Sequence, residues 1–134
     1  MLILRTIRNF PCQLSRSIHI HKEVIGGQNG QIIIAHGMLG SSGNWSSLSR
    51  RIAQETGQTV VTYDARNHGL SDHTETMSYP EMAEDLKSLV TESKAVLVGH
   101  SMGGRTMMYF ALKYPHLVDK LAIVDVSPVN IGKM

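Results

Sequence analysis

The chain has 134 residues, of which 42% are hydrophobic and 18% are charged. This length and composition suit one globular domain with a modest core and argue against a disordered protein. No apolar run approaches the roughly 18 residues that a membrane span needs, and the single cysteine, Cys12, excludes an internal disulfide. We therefore expect no transmembrane segment.

Charge divides the chain into two parts. Residues 1–22 hold four basic residues and no acidic one, whereas all 11 acidic residues follow. Because the rest of the chain is slightly acidic and has no basic cluster, we expect no nucleic-acid partner. Segment 1–22 is also amphipathic, which is typical of a mitochondrial transit peptide. We predict a disordered transit peptide over 1–22, a location in the mitochondrial matrix and a folded domain over 23–134. A disordered basic tail is the alternative for 1–22.

From residue 23 onward, short apolar runs alternate with amphipathic stretches, which predicts an α/β domain with a mostly parallel sheet flanked by helices. The predicted strands are 31–35, 59–63, 95–98 and 121–126. The predicted helices are 45–56, 79–91 and 102–114. Asn44 is the predicted N-cap of the first helix, and a capping box of Ser78 and Glu81 opens the second.

The sequence Gly99-His100-Ser101-Met102-Gly103 joins the third predicted strand to the third predicted helix. A serine between two glycines on such a strand-to-helix turn is typical of the nucleophile elbow of a serine hydrolase. The turn is strained, and only small residues at Gly99 and Gly103 let the flanking chains approach closely. We predict Ser101 as the nucleophile; a chance Gly-Ser-Gly turn is the alternative.

Acyl transfer also needs hydrogen-bond donors aimed at the developing oxyanion. The backbone N–H of Met102, directly after the nucleophile, is the first predicted donor. The second is predicted in His36-Gly37-Met38-Leu39-Gly40, which follows the first predicted strand. There Gly37 permits the turn and the N–H of Met38 is the donor; a simple glycine-rich connection is the alternative.

The chain resembles the α/β-hydrolase superfamily through HGMLG, DARNHGLS and GHSMGG, which occur in that order. Over residues 24–130, the sequence around these motifs is also similar to mitochondrial serine hydrolases of this family and to their bacterial esterase relatives. It includes HGMLGSSGNW, VVTYDARNHGLSDH, VLVGHSMGGRTMM and LAIVDVSPV. The resemblance implies the α/β-hydrolase fold and hydrolysis of carboxylic esters without a cofactor. It further implies acylglycerols or other lipid esters as substrates and an association with a mitochondrial 2-oxoacid dehydrogenase complex.

A serine hydroxyl needs a histidine to take its proton and a carboxylate to orient that histidine. In this fold the chain order is Ser, then Asp or Glu, then His. The acids after Ser101 are Asp119 and Asp125. Asp119 is expected before the last strand, at the far end of the sheet. Asp125 is expected beside the elbow and is the predicted triad acid; a loop-capping carboxylate is the alternative.

No histidine occupies the position that this order requires. His116 is the one histidine after Ser101, and it is expected at the opposite end of the sheet. His36 and His100 belong to the oxyanion and elbow motifs, where structural roles are expected, and His68 is expected to shape the rim of the site. No pair of histidines has metal-ligand spacing supported by other ligands, so we predict no metal site.

The family usually enters a lid region where this chain stops, and further strands and the catalytic histidine follow. Residues 23–134 are therefore expected to be the N-terminal part of an α/β-hydrolase domain, truncated before the lid and the last strands. Such a chain should hydrolyse esters poorly or not at all, and strand 121–126 should form an exposed apolar edge. A non-catalytic binding or regulatory α/β-hydrolase-like protein in mitochondria is the alternative function.

Overall fold

The computed structural model describes residues 17–126. Its five strands are β1 (Lys22–Ile25), β2 (Gln31–Ala35), β3 (Thr59–Tyr63), β4 (Ala95–His100) and β5 (Val118–Val124). Its three α-helices are α1 (Ser46–Thr56), α2 (Tyr79–Lys87) and α3 (Met102–Lys113). Two short 3-10 turns, Ser42–Trp45 and Pro115–Leu117, precede α1 and β5.

The strands form one sheet in the order β1-β3-β2-β4-β5. Neighbours among β2 to β5 pair in parallel, whereas β1 pairs antiparallel with β3 at one edge. The predicted α/β fold with a mostly parallel sheet is therefore confirmed. Strand β1 was not predicted, because its four residues include Lys22 and Glu23 and show no apolar run.

The sheet is covered on both faces, which explains the continuous apolar run of β2, all of whose residues are buried. Helix α1 packs on one face, over a cluster of Ile32, Ile34, Ala53 and Val60. Helices α2 and α3 cover the other face, where the larger cluster includes Ile33, Val61, Leu86, Leu97 and Phe110. No helix within residues 17–126 combines the length and the apolar character needed to cross a membrane.

The folded body begins earlier than predicted. The backbone N–H of His19 donates to Asp72 Oδ2 at 2.7 Å, and that of His21 donates to Ser71 Oγ at 2.9 Å. Residues 17–22, predicted as the end of a disordered segment, are thus held by long-range hydrogen bonds. The transit-peptide prediction for residues 1–16 lies outside the described residues, as do residues 127–134 of the predicted domain.

Three local predictions need correction. Asn44 does not cap α1: it lies inside the 3-10 turn, where its Oδ1 accepts the N–H of Ser41 at 2.8 Å. Helix α2 ends at Lys87 instead of residue 91, because the Ser88 N–H and hydroxyl both donate to the carbonyl of Asp85.

Strand β5 spans Val118–Val124 instead of 121–126, because its parallel ladder with β4 begins at Val118. Asp119, expected before this strand, therefore lies within it.

Candidate active site

Four loops meet at one edge of the sheet, because parallel strands place their carboxyl ends together. The loop that begins at His36 follows β2, and the loop that begins at Asp64 follows β3. Ser101 follows β4 and Asp125 follows β5. The tertiary structure thus brings the motifs of four separate segments to the edge where ligands bind in α/β sheets.

Ser101 occupies the sharp turn between β4 and α3. Its φ of 50° and ψ of −114° lie in a region that residues with a side chain rarely adopt. The turn is held because the Ser101 N–H donates to the carbonyl of Val124 at 3.1 Å, and the Ser101 carbonyl accepts from Arg105 at 3.0 Å. This is the strained strand-to-helix geometry expected of a nucleophile elbow.

The two elbow glycines are required by close backbone contacts. A Cβ on Gly99 would lie 2.6 Å from the carbonyl oxygen of Gly103. A Cβ on Gly103 would lie 2.6 Å from the carbonyl oxygens of Ala35 and His36 at the end of β2. Glycine at both positions therefore lets α3 begin directly against β2 and β4, so that its N-terminus faces the site.

The two predicted oxyanion donors lie on either side of the elbow. Met102 is the first residue of α3, so its N–H has no carbonyl one turn earlier to bond to. Met38 lies in the turn after β2, and its side chain is 68% exposed. A Cβ on Gly37 would lie 3.5 Å from the Cβ of Ser101, so this turn adjoins the nucleophile.

Asp125 lies beside the elbow and not at the far end of the sheet. It directly follows Val124, which pairs with His100 in the β4–β5 ladder. Its Oδ2 is 3.8 Å from His100 Nε2, and its side chain is 88% exposed. With a φ of 53°, Asp125 turns the chain sharply at the end of β5. The position fits an acid that orients a histidine above the edge of the sheet.

Among residues 17–126, no histidine makes a hydrogen bond with the Ser101 hydroxyl. His116 lies in the turn before β5, at the opposite end of the sheet, as predicted. His36 and His68 bond to backbone groups of the neighbouring loops. In the same residues, no group of three or more His, Cys, Asp or Glu side chains could hold a metal ion.

Asp64 is a buried carboxylate beneath the site that the sequence analysis did not single out. Its Oδ1 accepts the N–H of Ser42 at 2.7 Å, and its Oδ2 accepts the N–H of Leu70 at 2.8 Å. Burial alone would raise the pKa of Asp64, but these donors outweigh it and the pKa is lowered. Asp64 therefore ties the loop after β3 to Ser42, which follows the predicted oxyanion turn at residues 36–40. Its signal was its place directly after a buried strand, within DARNHGLS.

Arg66 holds the same loop through its bonds to α2. Its Nε and Nη2 donate to the two carboxylate oxygens of Asp85 on α2, at 2.7 and 2.9 Å. Glu81 lies 3.0 Å from the guanidinium on the same side. The hydrogen bonds to Asp85 raise the pKa of Arg66 against the effect of burial. This buried fork fixes the loop after β3 onto α2.

Two cavities open at the site. One, of about 310 Å³, is rich in methionine and aromatic side chains and includes Met38, Met77, Tyr79, Met82, Met102 and Tyr109. The other, of about 460 Å³, lies on the α1 side and includes Gly37, Trp45, Leu48 and His100. The first cavity touches both predicted oxyanion residues and is the more apolar, so an apolar group bonded to the reacting carbonyl would fit there.

Comparison with known proteins agrees with this geometry. A family model described as "alpha/beta hydrolase fold" matches residues 30–132. The chain is 48% identical over 102 residues to the sn-1-specific diacylglycerol lipase ABHD11 of Mus musculus. This match covers 74% of this chain and 33% of that protein. It is 36% identical over 105 residues to esterase YbfF of Escherichia coli, covering 76% of this chain and 41% of that protein.

A solved marine microorganism esterase superposes with a TM-score of 0.79 at 36% identity, covering 84% of this chain and 43% of that structure. The chain thus spans about a third of the length of its ABHD11 relatives and less than half of this structure. The chain belongs to the α/β-hydrolase family.

Proposed function

We propose that this chain carries the nucleophile, the oxyanion donors and the acid of a serine hydrolase that cleaves carboxylic esters. The observation that carries the proposal is Ser101, held at a φ of 50° at the N-terminus of α3. A serine in that conformation presents its hydroxyl above the sheet and next to free backbone donors. The names of the relatives, lipase and esterase, support the same chemistry.

In the proposed reaction, Ser101 Oγ attacks the ester carbonyl carbon while a histidine base takes the hydroxyl proton. The N–H groups of Met38 and Met102 stabilise the oxyanion, and Asp125 orients the histidine. The carbon–oxygen bond to the alcohol then breaks, and the histidine returns the proton to the leaving alcohol. Water then attacks the acyl carbonyl carbon while the histidine takes a proton from it. The bond to Ser101 Oγ breaks, the histidine returns the proton to Oγ, and the carboxylic acid leaves.

The histidine base has no candidate in the described residues, so we propose that a residue outside them supplies it in the whole protein. The 134-residue chain by itself is then expected to react slowly, with only the oxyanion donors and substrate binding to accelerate the reaction.

The proposed substrates are acylglycerols or other lipid esters. The apolar cavity of about 310 Å³ beside Met38 and Met102 offers room for a hydrocarbon chain next to the oxyanion donors. The diacylglycerol lipase name of the ABHD11 relatives supports this class. We further propose a mitochondrial matrix location and an association with a 2-oxoacid dehydrogenase complex; the basic, acid-free segment 1–22 supports the location.

A fluorophosphonate probe tests the proposal, because it reacts only with an activated serine. We expect labelling of the full-length product of the gene, loss of that labelling in Ser101→Ala, and unchanged labelling in Ser47→Ala, an exposed serine on α1. The 134-residue chain should label far more slowly. Absence of labelling in a folded full-length product would overturn the proposal.

The second candidate is a non-catalytic binding or regulatory protein of the same fold in mitochondria. One observation favours it: no histidine among residues 17–126 bonds to Ser101 Oγ. It predicts that the full-length product binds lipid esters without labelling by the probe, and that Ser101→Ala leaves binding unchanged.

A further inference from the structure

Two histidine rings lie against each other below the oxyanion turn. His36 begins the turn after β2, and His68 reaches it from the loop after β3. Their ring centroids are 5.1 Å apart, with a tilt of 53° between the planes. His36 is buried and His68 is half-buried. Neither ring acts as a base in the proposed reaction, so the hydrogen bonds of the two rings indicate what they do.

Each ring makes one bond as an acceptor and one as a donor. His68 Nε2 accepts the N–H of Leu39 at 3.2 Å, and His68 Nδ1 donates to the carbonyl of Arg66 at 3.0 Å. His36 Nε2 accepts the N–H of Ala65 at 2.9 Å, and His36 Nδ1 donates to the carbonyl of Gly37 at 2.7 Å.

These partners fix the proton positions, because a backbone N–H only donates and a carbonyl only accepts. Both rings must therefore be neutral, with the proton on Nδ1 and a lone pair on Nε2. Adding a proton at Nε2 of either ring would turn an acceptor into a donor that faces another N–H. The two hydrogen bonds to Leu39 and Ala65 exist only in the neutral state.

The bonds bracket the predicted donor Met38. The Gly37 carbonyl on one side is held by His36, and the Leu39 N–H on the other side is held by His68. The side chains of Met38 and Leu39 are 68% and 94% exposed, so packing does little to fix the turn. Leu39 also has a φ of 62°, an unfavourable conformation that needs support from its surroundings.

We propose that His68 and His36 are positioning residues that hold the Met38 N–H at the oxyanion site, and that they do so as a pair of neutral, Nδ1-protonated rings. The role of the pair in catalysis rests on the proposed esterase function; its role in holding the turn does not. A proton on Nε2 of His68 would remove the acceptor of the Leu39 N–H and release the turn.

The charged and titratable groups around the pair are few. Asp64 faces His36 from the loop after β3, and Arg66 on that loop is neutralised by Asp85. His100 faces the turn from β4, with its Nδ1 2.6 Å from where a Cβ of Gly37 would stand. Burial lowers the pKa of His36, in agreement with a neutral ring in the folded protein.

The first test is spectroscopic and needs no enzyme activity. Imidazole ¹⁵N shifts of the 134-residue chain at neutral pH should show the Nδ1-protonated tautomer for both rings. The Leu39 amide should exchange slowly with solvent at neutral pH, because His68 Nε2 accepts its hydrogen bond. An Nε2-protonated tautomer at either ring, or a Leu39 amide that exchanges as fast as an unprotected one at neutral pH, would overturn the proposal.

Two substitutions separate positioning from folding. The amide of His68→Asn can still donate to Arg66 but does not reach Leu39, whereas the oxygen of His68→Gln can take the place of Nε2. We expect loss of Leu39 protection in His68→Asn and its retention in His68→Gln, with the remaining amides unchanged in both. His73→Ala, an exposed histidine on the same loop, is the matched control. Equal Leu39 protection in the Asn and Gln variants would contradict the proposal.

The second test applies to the full-length product if it hydrolyses esters. His68→Asn should lower kcat by about 10²-fold, the scale of a misplaced catalytic group, with KM changed less than about twofold. His68→Gln should recover most of the rate. A rise in KM at constant kcat would contradict a role at the oxyanion site. If the full-length product hydrolyses no ester, the esterase proposal fails while the spectroscopic test still decides how the turn is held.

Discussion

The loop after β3 and the end of β5 both contribute to the candidate active site, but they are held in very different ways. The loop is fixed by buried groups, with Asp64 bonded to two backbone amides and Arg66 bonded to Asp85. The end of β5 is an edge, paired within the described residues only with β4, and its Asp125 side chain is 88% exposed.

The described residues therefore hold the groups on the β3 side of the site in place, but they leave the Asp125 carboxylate largely unsupported. The predicted nucleophile Ser101 and the predicted oxyanion turn at residues 36–40 are held by contacts within residues 17–126. Asp125 directly follows the last residue of the β4–β5 ladder, and its largely exposed carboxylate has one neighbouring charged group, His100 at 3.8 Å. We therefore expect substitutions near the loop to change stability strongly and substitutions at the end of β5 to change it little.

The largest expected effect is at Asp64. Asp64→Ala leaves the amides of Ser42 and Leu70 without their acceptor, which should lower the free energy of unfolding by about 3 kcal/mol or more. Asp125→Ala is the matched control and should change it by less than about 0.5 kcal/mol. Denaturant unfolding of both variants measures the two values. Similar losses in the two would break the contrast between the regions.

Two adjacent glycines on α3 give a sharper comparison. A Cβ at Gly103 would meet the carbonyl oxygens of Ala35 and His36 at 2.6 Å, whereas a Cβ at Gly104 would meet the side chain of Val126 at 2.9 Å and its nearest backbone atom, the carbonyl oxygen of Gly99, at 3.0 Å. Gly103→Ala should cost about 3 kcal/mol, because backbone cannot move aside, and Gly104→Ala about 1 kcal/mol. Thermal unfolding would show the difference as a larger fall in Tm for Gly103→Ala, and the reverse order would contradict it.

Acidification should destabilise the loop side through His36. Burial lowers the pKa of His36 below its usual value of 6.5, so below about pH 6.5 the unfolded chain takes up a proton that the folded protein does not. The stability contributed by His36 is therefore complete above that pH and is lost as the pH falls. Denaturant unfolding between pH 7.5 and about 5 should show this slope, reduced in His36→Gln and unchanged in His73→Gln. If the free energy of unfolding of His36→Gln depended on pH as steeply as that of the unmodified chain, another group would be responsible for the pH dependence.

At the β5 edge, where Leu121 is 40% exposed, the expected effect is on association between chains more than on stability. A half-exposed apolar edge strand favours association between chains, and a lysine there opposes it. Leu121→Lys should reduce self-association with a stability loss of about 1 kcal/mol. Leu112→Lys, at a 77% exposed position on α3, should leave association unchanged. Sedimentation velocity distinguishes the two, and equal behaviour would exclude the edge as the contact.

Much of the fold followed from local patterns. The apolar runs of β2 and β3 are continuous because both faces of these strands are covered, so their bounds were predicted correctly. Strand β1 was missed because an edge strand needs no apolar run, and it exists through its pairing with β3. The bounds of β5 shifted because the β4 ladder, and not its own composition, decides where it begins.

The site shows the same division. Ser101 and its glycines were predicted from the motif together with its place between a predicted strand and a predicted helix, because such a sharp turn restricts the residue types within five positions. Asp64 was not identified as a structural anchor, and His36 and His68 were given no specific bonds. Their partners lie up to 29 residues away in the chain, as in the bond from His68 to Leu39, and no local pattern encodes such a contact.

The sequence by itself determined the fold class, the elbow and the order of the motifs, because each depends on residues close together in the chain. Only the tertiary structure decided how the oxyanion turn is held. Its exposed side chains cannot fix it, so His36 from the turn itself and His68 from the loop after β3 supply the hydrogen bonds, and Asp64 from that same loop holds Ser42 just beyond the turn. It also placed Asp125 beside Ser101, because the parallel pairing of β4 with β5 brings the ends of both strands to the same edge.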